Sequence, residues 1–172
     1  SRTVVDQGPN IYDIVSGIHQ AVTTKQRFEI LLQLFALLEY DVATRACRCD
    51  PRVLSFMNES GVVNALVLQL GFVLHRHGSA KEELDLTCTA LDLFHRFCPE
   101  LVTEDSLRNR GVELFRLLSE AFKRGAILPV LSIWHSCSSC NYGTTLLRQD
   151  SSMLQAVGEV LRRRLCDEEG LM

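Results

Sequence analysis

The sequence predicts an all-α fold, and three observations carry this prediction. Apolar residues recur every three or four positions along most of the 172-residue chain, which is the period of helices with one buried side. Strand signals are nearly absent, because no segment alternates cleanly between apolar and polar residues and is bounded by turn residues. A helical phrase also recurs three times at wide spacing, and this repetition predicts that the helices stack as an α-solenoid.

The repeated phrase joins a short helix to an amphipathic helix through a polar or glycine-containing bend. Its copies read MNESGVVNALVLQL from Met57, LRNRGVELFRLL from Leu107 and LRQDSSMLQAVGEVL from Leu147. The bends at Gly61 and Gly111 are 50 residues apart, and Ser151 follows Gly111 by 40. A helical unit that recurs at about 40–50 residues is typical of a solenoid, in which each unit buries its apolar side against its neighbours.

Helix-start signals divide the first half of the chain. Asn10 is placed to cap the first helix, and Thr23 or Thr24 to cap the second. Residues 41–50 are irregular, and Pro51 then begins a third helix, since a proline in the first turn loses no hydrogen bond. The helices expected in this half are 10–22, 24–40, 51–58 and 61–77.

The second half contains similar signals. Ser79, with Glu82 three residues later, matches a capping box, and Pro99 closes the helix that it opens. Thr103 begins the next helix, and Asn141 to Gly143 read as a turn. The elements expected here are a helix 80–98, a helix that starts at 103, helices 111–124, 126–138, 144–149 and 151–166, and a frayed tail at 167–172.

The order of short, medium and long helices resembles the three-helix armadillo repeat. In that family the second helix follows a glycine-containing bend, and the third helix lines a concave groove. The resemblance covers nearly the whole chain and implies a right-handed solenoid of about three and a half armadillo-like repeats, a single domain over 1–172 from a longer protein. It implies second helices at 10–22, 61–77, 111–124 and 151–166, and third helices at 24–40, 80–98 and 126–138. Two-helix HEAT repeats are a close competitor.

Composition narrows the classes of partner. The net charge of −3 argues against nonspecific nucleic-acid binding, which needs an excess of lysine and arginine. No apolar run reaches the roughly 18 residues of a membrane span, so we expect no membrane association. The first ten residues lack the apolar segment of a signal peptide. The seven cysteines are therefore expected to be reduced thiols of an intracellular protein, in the cytoplasm or the nucleus.

The segment IWHSCSSCNY is the sharpest candidate for metal or thiol chemistry. It places His135, Cys137 and Cys140 within six residues, whereas a structural zinc site needs four ligands. Cys47 and Cys49 could complete the set only if two distant units met. No nucleophile-elbow, HExxH, Walker or dinucleotide-binding phrase occurs. We therefore expect no metal, no cofactor and no enzymatic activity, with a metal- or thiol-dependent enzyme as a minor alternative.

Basic residues concentrate in two places, Lys123-Arg124 and Arg162 to Arg164. Phosphate contact is one interpretation. Arginine and lysine in a last helical turn also interact favourably with the negative end of the helix dipole, and this interpretation is favoured.

A polar stripe runs along one face of the predicted helix 80–98, at spacings of three and four residues. Its members are Glu82, Asp85, Thr89, Asp92 and Arg96. A parallel row on the helix 24–40 consists of Lys25, Glu29, Gln33 and Tyr40. In an armadillo unit these faces would be exposed to the groove and would bind a partner. Plain solvation is the alternative, since every packed helix needs one wet face.

These observations predict a non-enzymatic scaffold that binds a protein or peptide along a helical-repeat surface. The acidic members of the polar stripe favour a basic or amphipathic partner. The third-helix segments contain no asparagine and Trp134 is the only tryptophan, so the ladders of nuclear-import armadillo proteins are not expected. The alternative function is a structural solenoid segment that braces a larger protein or complex.

Overall fold

Helices form almost all of the regular structure, and the all-α prediction is confirmed. The computed structural model describes residues 10–76, 81–149 and 151–170. Within these ranges the only sheet is a hairpin of two short antiparallel strands, β1 (Tyr40–Asp41) and β2 (Ala46–Cys47). The helices are α1 Ile11–Gln20, α2 Thr24–Leu37, α3 Pro51–Asn58, α4 Val62–His75, α5 Lys81–Phe97, the 3-10 helix Pro99–Val102, α6 Glu104–Lys123, α7 Ile127–Cys137, α8 Asn141–Gln149 and α9 Ser151–Gly170.

The chain divides into two compact units, residues 1–69 and 70–172, where the sequence predicts one domain. The boundary falls inside α4. No single helix in the described part of the chain is both long and apolar enough to cross a bilayer; α3 and α4 together reach that length and composition, but a 75° bend separates them.

The predicted helix starts of the first unit are confirmed. The side chain of Asn10 accepts a hydrogen bond from the backbone N–H of Asp13 (3.0 Å), and the Asp13 carboxylate accepts one from the backbone N–H of Asn10 (3.2 Å). Thr23 and Gln26 form the same reciprocal pair at the start of α2, so Thr23 is the cap. Each capping box satisfies two amides that the helix leaves unpaired. The following helices then pack with Ile11, Ile14, Ile18, Leu31, Leu34 and Phe35 buried.

Arg27 is buried on α2, which the apolar pattern does not predict. Its Nη2 donates to the carbonyl oxygen of Ala21 (2.6 Å), and its Nη1 donates to Oε1 of Gln69 (3.4 Å). These acceptors offset the cost of removing the guanidinium from water. Leu32 is exposed, because the side of α2 that packs is defined by positions 27, 31, 34 and 38.

The bend predicted at Gly61 is present. Gly61 has a φ of +87°, a conformation that glycine adopts without the steric penalty of a side chain, and it separates α3 from α4. The bend predicted at Ser151 lies at the junction of α8 and α9, which end and begin at Gln149 and Ser151.

The bend predicted at Gly111 is absent, because α6 runs without interruption from Glu104 to Lys123. Gly111 is inside this helix, and a Cβ there would lie 2.7 Å from Cδ1 of Leu146 on α8. The glycine therefore allows a neighbouring helix to approach closely and does not turn the chain. The predicted break into helices before and after residue 111 is wrong for this reason.

The turn predicted at Asn141–Gly143 is also wrong, because these residues form the first turn of α8. Two further expectations, the cap at Ser79 and the helix end at Gly78, fall outside the described residues. At the other end, α9 continues to Gly170 and so includes four of the six residues expected to fray; residues 171–172 are not among those described.

The core of the second unit lies where α5 packs on α7 and where α6 packs on α8 and α9. The helix α5 buries Leu84, Leu86, Cys88, Leu91, Leu93 and Phe94, while Phe97 at its end is exposed. A helix that is covered on two sides leaves little room for a wet face.

Candidate functional site

The polar stripe on α5 is exposed only in part. Glu82 and Arg96 are exposed, and Asp85 and Thr89 are half-buried. Asp92 is only 5% exposed, so the expectation that it lies on the wet face is wrong. The reason is that α7 packs along this part of α5 and covers Asp92.

Asp92 forms an ion pair within its own helix. Its Oδ2 lies 3.1 Å from Nη2 of Arg96, one turn later. Burial raises the pKa of the Asp92 carboxyl, and Ser132 on α7 together with the Arg96 cation opposes this rise only in part. A carboxylate held in this way contributes little charge to an outside partner, so the stripe is less acidic than the sequence predicts.

The parallel row of polar residues on α2 lies on an exposed face, as expected. Lys25, Glu29 and Gln33 are all exposed, while Tyr40 is half-buried in β1 beyond the end of the helix. Glu29 and Gln33 belong to the first unit and the polar stripe to the second.

A buried polar cluster surrounds His95, which is 1% exposed. Nδ1 of His95 lies 2.7 Å from the carbonyl oxygen of Leu91, so Nδ1 carries the proton and donates it. Burial lowers the pKa of His95 to about 4; the hydrogen bond to Leu91 opposes this, and the nearby Arg110 cation adds to it. Arg110 also lies close to Cys137, so a neutral imidazole, a protonated thiol and a guanidinium cation lie together in an arrangement that the sequence did not indicate.

Cys137 in the thiol segment does not have the properties of a nucleophile. Burial raises the pKa of the Cys137 thiol to about 12, so it is protonated at neutral pH, whereas thiol catalysis needs the thiolate. The sulfur of Cys140 accepts a hydrogen bond from the backbone N–H of Gly143 (3.3 Å), and His135 is exposed. Among the described residues no three His, Cys, Asp or Glu side chains form a group that could hold a metal ion.

An apolar cleft of about 420 Å³ opens between α6, α8 and α9. Phe115 and Leu146 line it, with the exposed Val112 at its edge. Arg116 and Gln149 supply its polar rim.

The outer face of α9 carries a leucine stripe, which we define as Leu154, Leu161 and Leu165. Their exposed fractions are 62%, 56% and 60%. At 3.6 residues per turn, the three leucines and Gly158 fall within roughly 60° of one another, on the side opposite the buried Ala156. Exposed apolar residues scattered singly are ordinary, whereas these three leucines stand in one line on one helix.

The sequence contains the signal for this stripe, because Leu154, Leu161 and Leu165 follow spacings of seven and four. Spacing alone does not decide whether the side that they share is buried or exposed. The structure buries Ala156 and leaves the leucines outside.

Comparison of the chain with protein-family models, with curated proteins and with solved structures gave no match in any of the three.

Proposed function

We propose that the chain is a non-enzymatic protein-interaction scaffold that docks a partner on α9. The leucine stripe is the observation that carries this proposal. Fully burying one leucine side chain contributes about 1.5–3 kcal/mol, and three aligned leucines offer this gain along one edge about 16 Å long. Binding of another apolar surface to this edge would remove the three leucines from water and so stabilise the complex.

The partner segment is an amphipathic helix. Spacings of seven and four residues are those of helix–helix seams, in which side chains of one helix fit between those of another. Gly158, in the middle of the stripe, has open space where a Cβ would stand, so a second helix can approach the backbone closely there. Arg162 and Arg164 flank the stripe and are exposed, which favours acidic residues beside the apolar seam of the partner.

The basic partner predicted from the sequence is not part of this proposal. That preference depended on three carboxylates on α5, of which Asp92 is buried and paired with Arg96. The amphipathic character of the partner is retained.

We also propose that the helices stack as armadillo-like units in a right-handed solenoid of about three and a half repeats. The break at Gly61 and the junction of α8 and α9 support this arrangement, because both coincide with bends of the repeated phrase. The uninterrupted α6 departs from it. The alternative, a segment that braces a larger protein, would use the same leucine stripe against another helix of that protein.

A designed peptide tests the docking surface. The probe is a 21-residue helical peptide with leucine at heptad positions a and d and glutamate at e and g, labelled for fluorescence anisotropy. We expect micromolar binding to the chain and at least a tenfold loss for Leu161→Asp. Leu128→Asp, at an exposed leucine outside the stripe, is the matched control and should change the affinity less than twofold. Equal binding to all three proteins would refute the proposal.

The variant Gly158→Ala distinguishes an effect on peptide binding from an effect on the stability of the free protein. Alanine in place of a mid-helix glycine should stabilise the free protein by about 0.5–1 kcal/mol. It should also weaken binding of the peptide, because the added methyl group crowds the contact between the two helices. Gly71→Ala in α4 also adds a methyl group to open space and should stabilise without affecting binding. If light scattering instead shows a dimer that Leu161→Asp dissociates, the occupant is a second copy of the chain and the partner-helix proposal is wrong.

A further inference from the structure

Five cationic side chains, contributed by three helices, line one open pocket. Lys81 comes from the start of α5, Lys123 and Arg124 from the end of α6, and Arg163 and Arg164 from α9. The pocket has a volume of about 240 Å³, and all of its lining residues belong to the second unit. The sequence presents these cations as separate runs at helix ends, and only the fold brings them together with Lys81.

Two of the five cations are bound to backbone carbonyls. Nη1 of Arg163 donates to the carbonyl oxygen of Lys123 (3.0 Å), and Nη2 of Arg124 donates to that of Leu74 (2.5 Å). These contacts agree with the interpretation that basic residues satisfy the carbonyl groups at helix ends. They do not involve Lys81 or Arg164.

Carboxylates neutralise only part of the positive charge. Lys123 pairs with Glu120 and Arg163 pairs with Glu159, each at 2.7 Å. Within the described parts of the chain, Lys81 and Arg164 lie in no ion pair. Five cations against two carboxylates leave the pocket with a net charge of +3.

The backbone between α6 and α7 completes the wall of the pocket. Gly125 has a φ of +108°, and a Cβ there would lie 3.2 Å from Cε of Lys81. The amides of Gly125 and Ala126 bond to the carbonyls of Phe122 and Ala121, which is a Schellman ending for α6. α7 begins directly afterwards, without a side-chain cap, so the positive end of its dipole adds to the charge at the wall.

We propose that this cationic pocket binds a phosphate monoester group. Its volume is below the roughly 300–1,000 Å³ of sites for drug-sized molecules, so it fits a compact anion. Lys81 and Arg164 offer charged donor groups to the oxygens of a dianion, and such oxygens form stronger hydrogen bonds to charged donors than to neutral ones. The group can be a phosphorylated side chain of a protein or a free phosphate. Arg164 lines this pocket and also flanks the leucine stripe, but the proposal does not rest on docking at that stripe.

The test follows the backbone amides of Gly125 and Ile127 by NMR during titration. The probes are inorganic phosphate, a short neutral peptide with one phosphoserine, its unphosphorylated form, and chloride at matched ionic strength. We expect phosphate or the phosphopeptide to shift these amide signals until they saturate, with a submillimolar dissociation constant. The unphosphorylated peptide and chloride should cause no such shifts. Tighter binding of the phosphopeptide identifies a phosphorylated protein as the source, and tighter binding of inorganic phosphate identifies the free ion.

The variant Lys81→Gln/Arg164→Gln removes the two cations that lack carboxylate partners. It should weaken binding at least tenfold. Arg148→Gln/Arg162→Gln removes the same charge from exposed arginines outside the pocket and should weaken binding less than twofold. Equal losses in both variants, or shifts in the wild-type protein that chloride reproduces, would overturn the proposal. So would a DNA duplex that binds here more tightly than either phosphate probe, because it would make the surface a nucleic-acid site.

Discussion

Gly143 lies directly against the backbone of Cys137: a Cβ on Gly143 would overlap the carbonyl oxygen of Cys137. This contact joins the first turn of α8 to the last turn of α7. It explains why a glycine that reads as a turn residue is found inside a helix.

Gly143→Ala should therefore destabilise the protein, because backbone atoms cannot move aside as a flexible side chain can. We expect a loss of about 2–3 kcal/mol in the free energy of unfolding, measured by urea denaturation. Gly71→Ala is the control and should stabilise by up to about 1 kcal/mol. A neutral result for Gly143→Ala would mean that α8 does not begin against α7 as described.

Asp92→Lys should destabilise the fold. The substitution places a cation beside Arg96 at a buried position that α7 covers, and a buried charge without a partner costs several kcal/mol. Glu82→Lys, on the same stripe but exposed, should change the free energy of unfolding by less than about 0.5 kcal/mol. Thermal unfolding followed by circular dichroism makes the comparison. If both variants retained wild-type stability, Asp92 would have to be on the wet face after all.

His95 should make the protein lose stability between pH 6.5 and pH 4. Its folded-state pKa of about 4 lies below the ordinary value of 6.5, so its contribution is complete above pH 6.5. The contribution decreases as the pH falls, because the unfolded chain takes up the proton first. The difference corresponds to a loss on the order of 3 kcal/mol.

The measurement is the free energy of unfolding against pH. His95→Gln should flatten the slope between pH 6.5 and 4, because it removes the group that takes up the proton on unfolding. Identical slopes in the wild-type protein and His95→Gln would show that His95 is not held neutral.

The proposed solenoid predicts an elongated particle. A compact domain of 172 residues has a radius of gyration of about 16 Å. Small-angle X-ray scattering of the monomer should give a larger value, with an asymmetric distance distribution. A radius of about 16 Å with a symmetric distribution would exclude the stacked arrangement and leave the α9 surface to be judged by the peptide experiment.

Local signals predicted the helices, but not the contacts between them. The capping pairs of Asn10 and Thr23 act over three residues, so the sequence was sufficient to locate them. The role of Gly111 depends on Leu146, which is distant along the chain, and the burial of Asp92 depends on α7. The polar spacing of a helix shows which residues share a face, but only the packing partner decides whether that face is wet.

The same contrast between local signals and contacts between helices applies to the two candidate surfaces. The leucine stripe was present in the sequence as a spacing, yet only the position of Ala156 shows that the stripe faces outward. The cationic pocket could not be predicted, because Lys81 is about 80 residues away from Arg164 and meets it only after α5, α6 and α9 have packed.

The position of the unit boundary has a consequence for dissecting the protein. Cleavage of the chain between Gln69 and Leu70 would divide α4 into fragments of eight and six residues. Isolated helices shorter than about 12–15 residues are marginal in water. Each fragment would also present buried residues at its cut end, Leu66 on one side and Leu70 and Val73 on the other. A gene truncated at residue 69 should therefore yield an insoluble or protease-sensitive product, and a separable first unit would have to retain α4 as a whole.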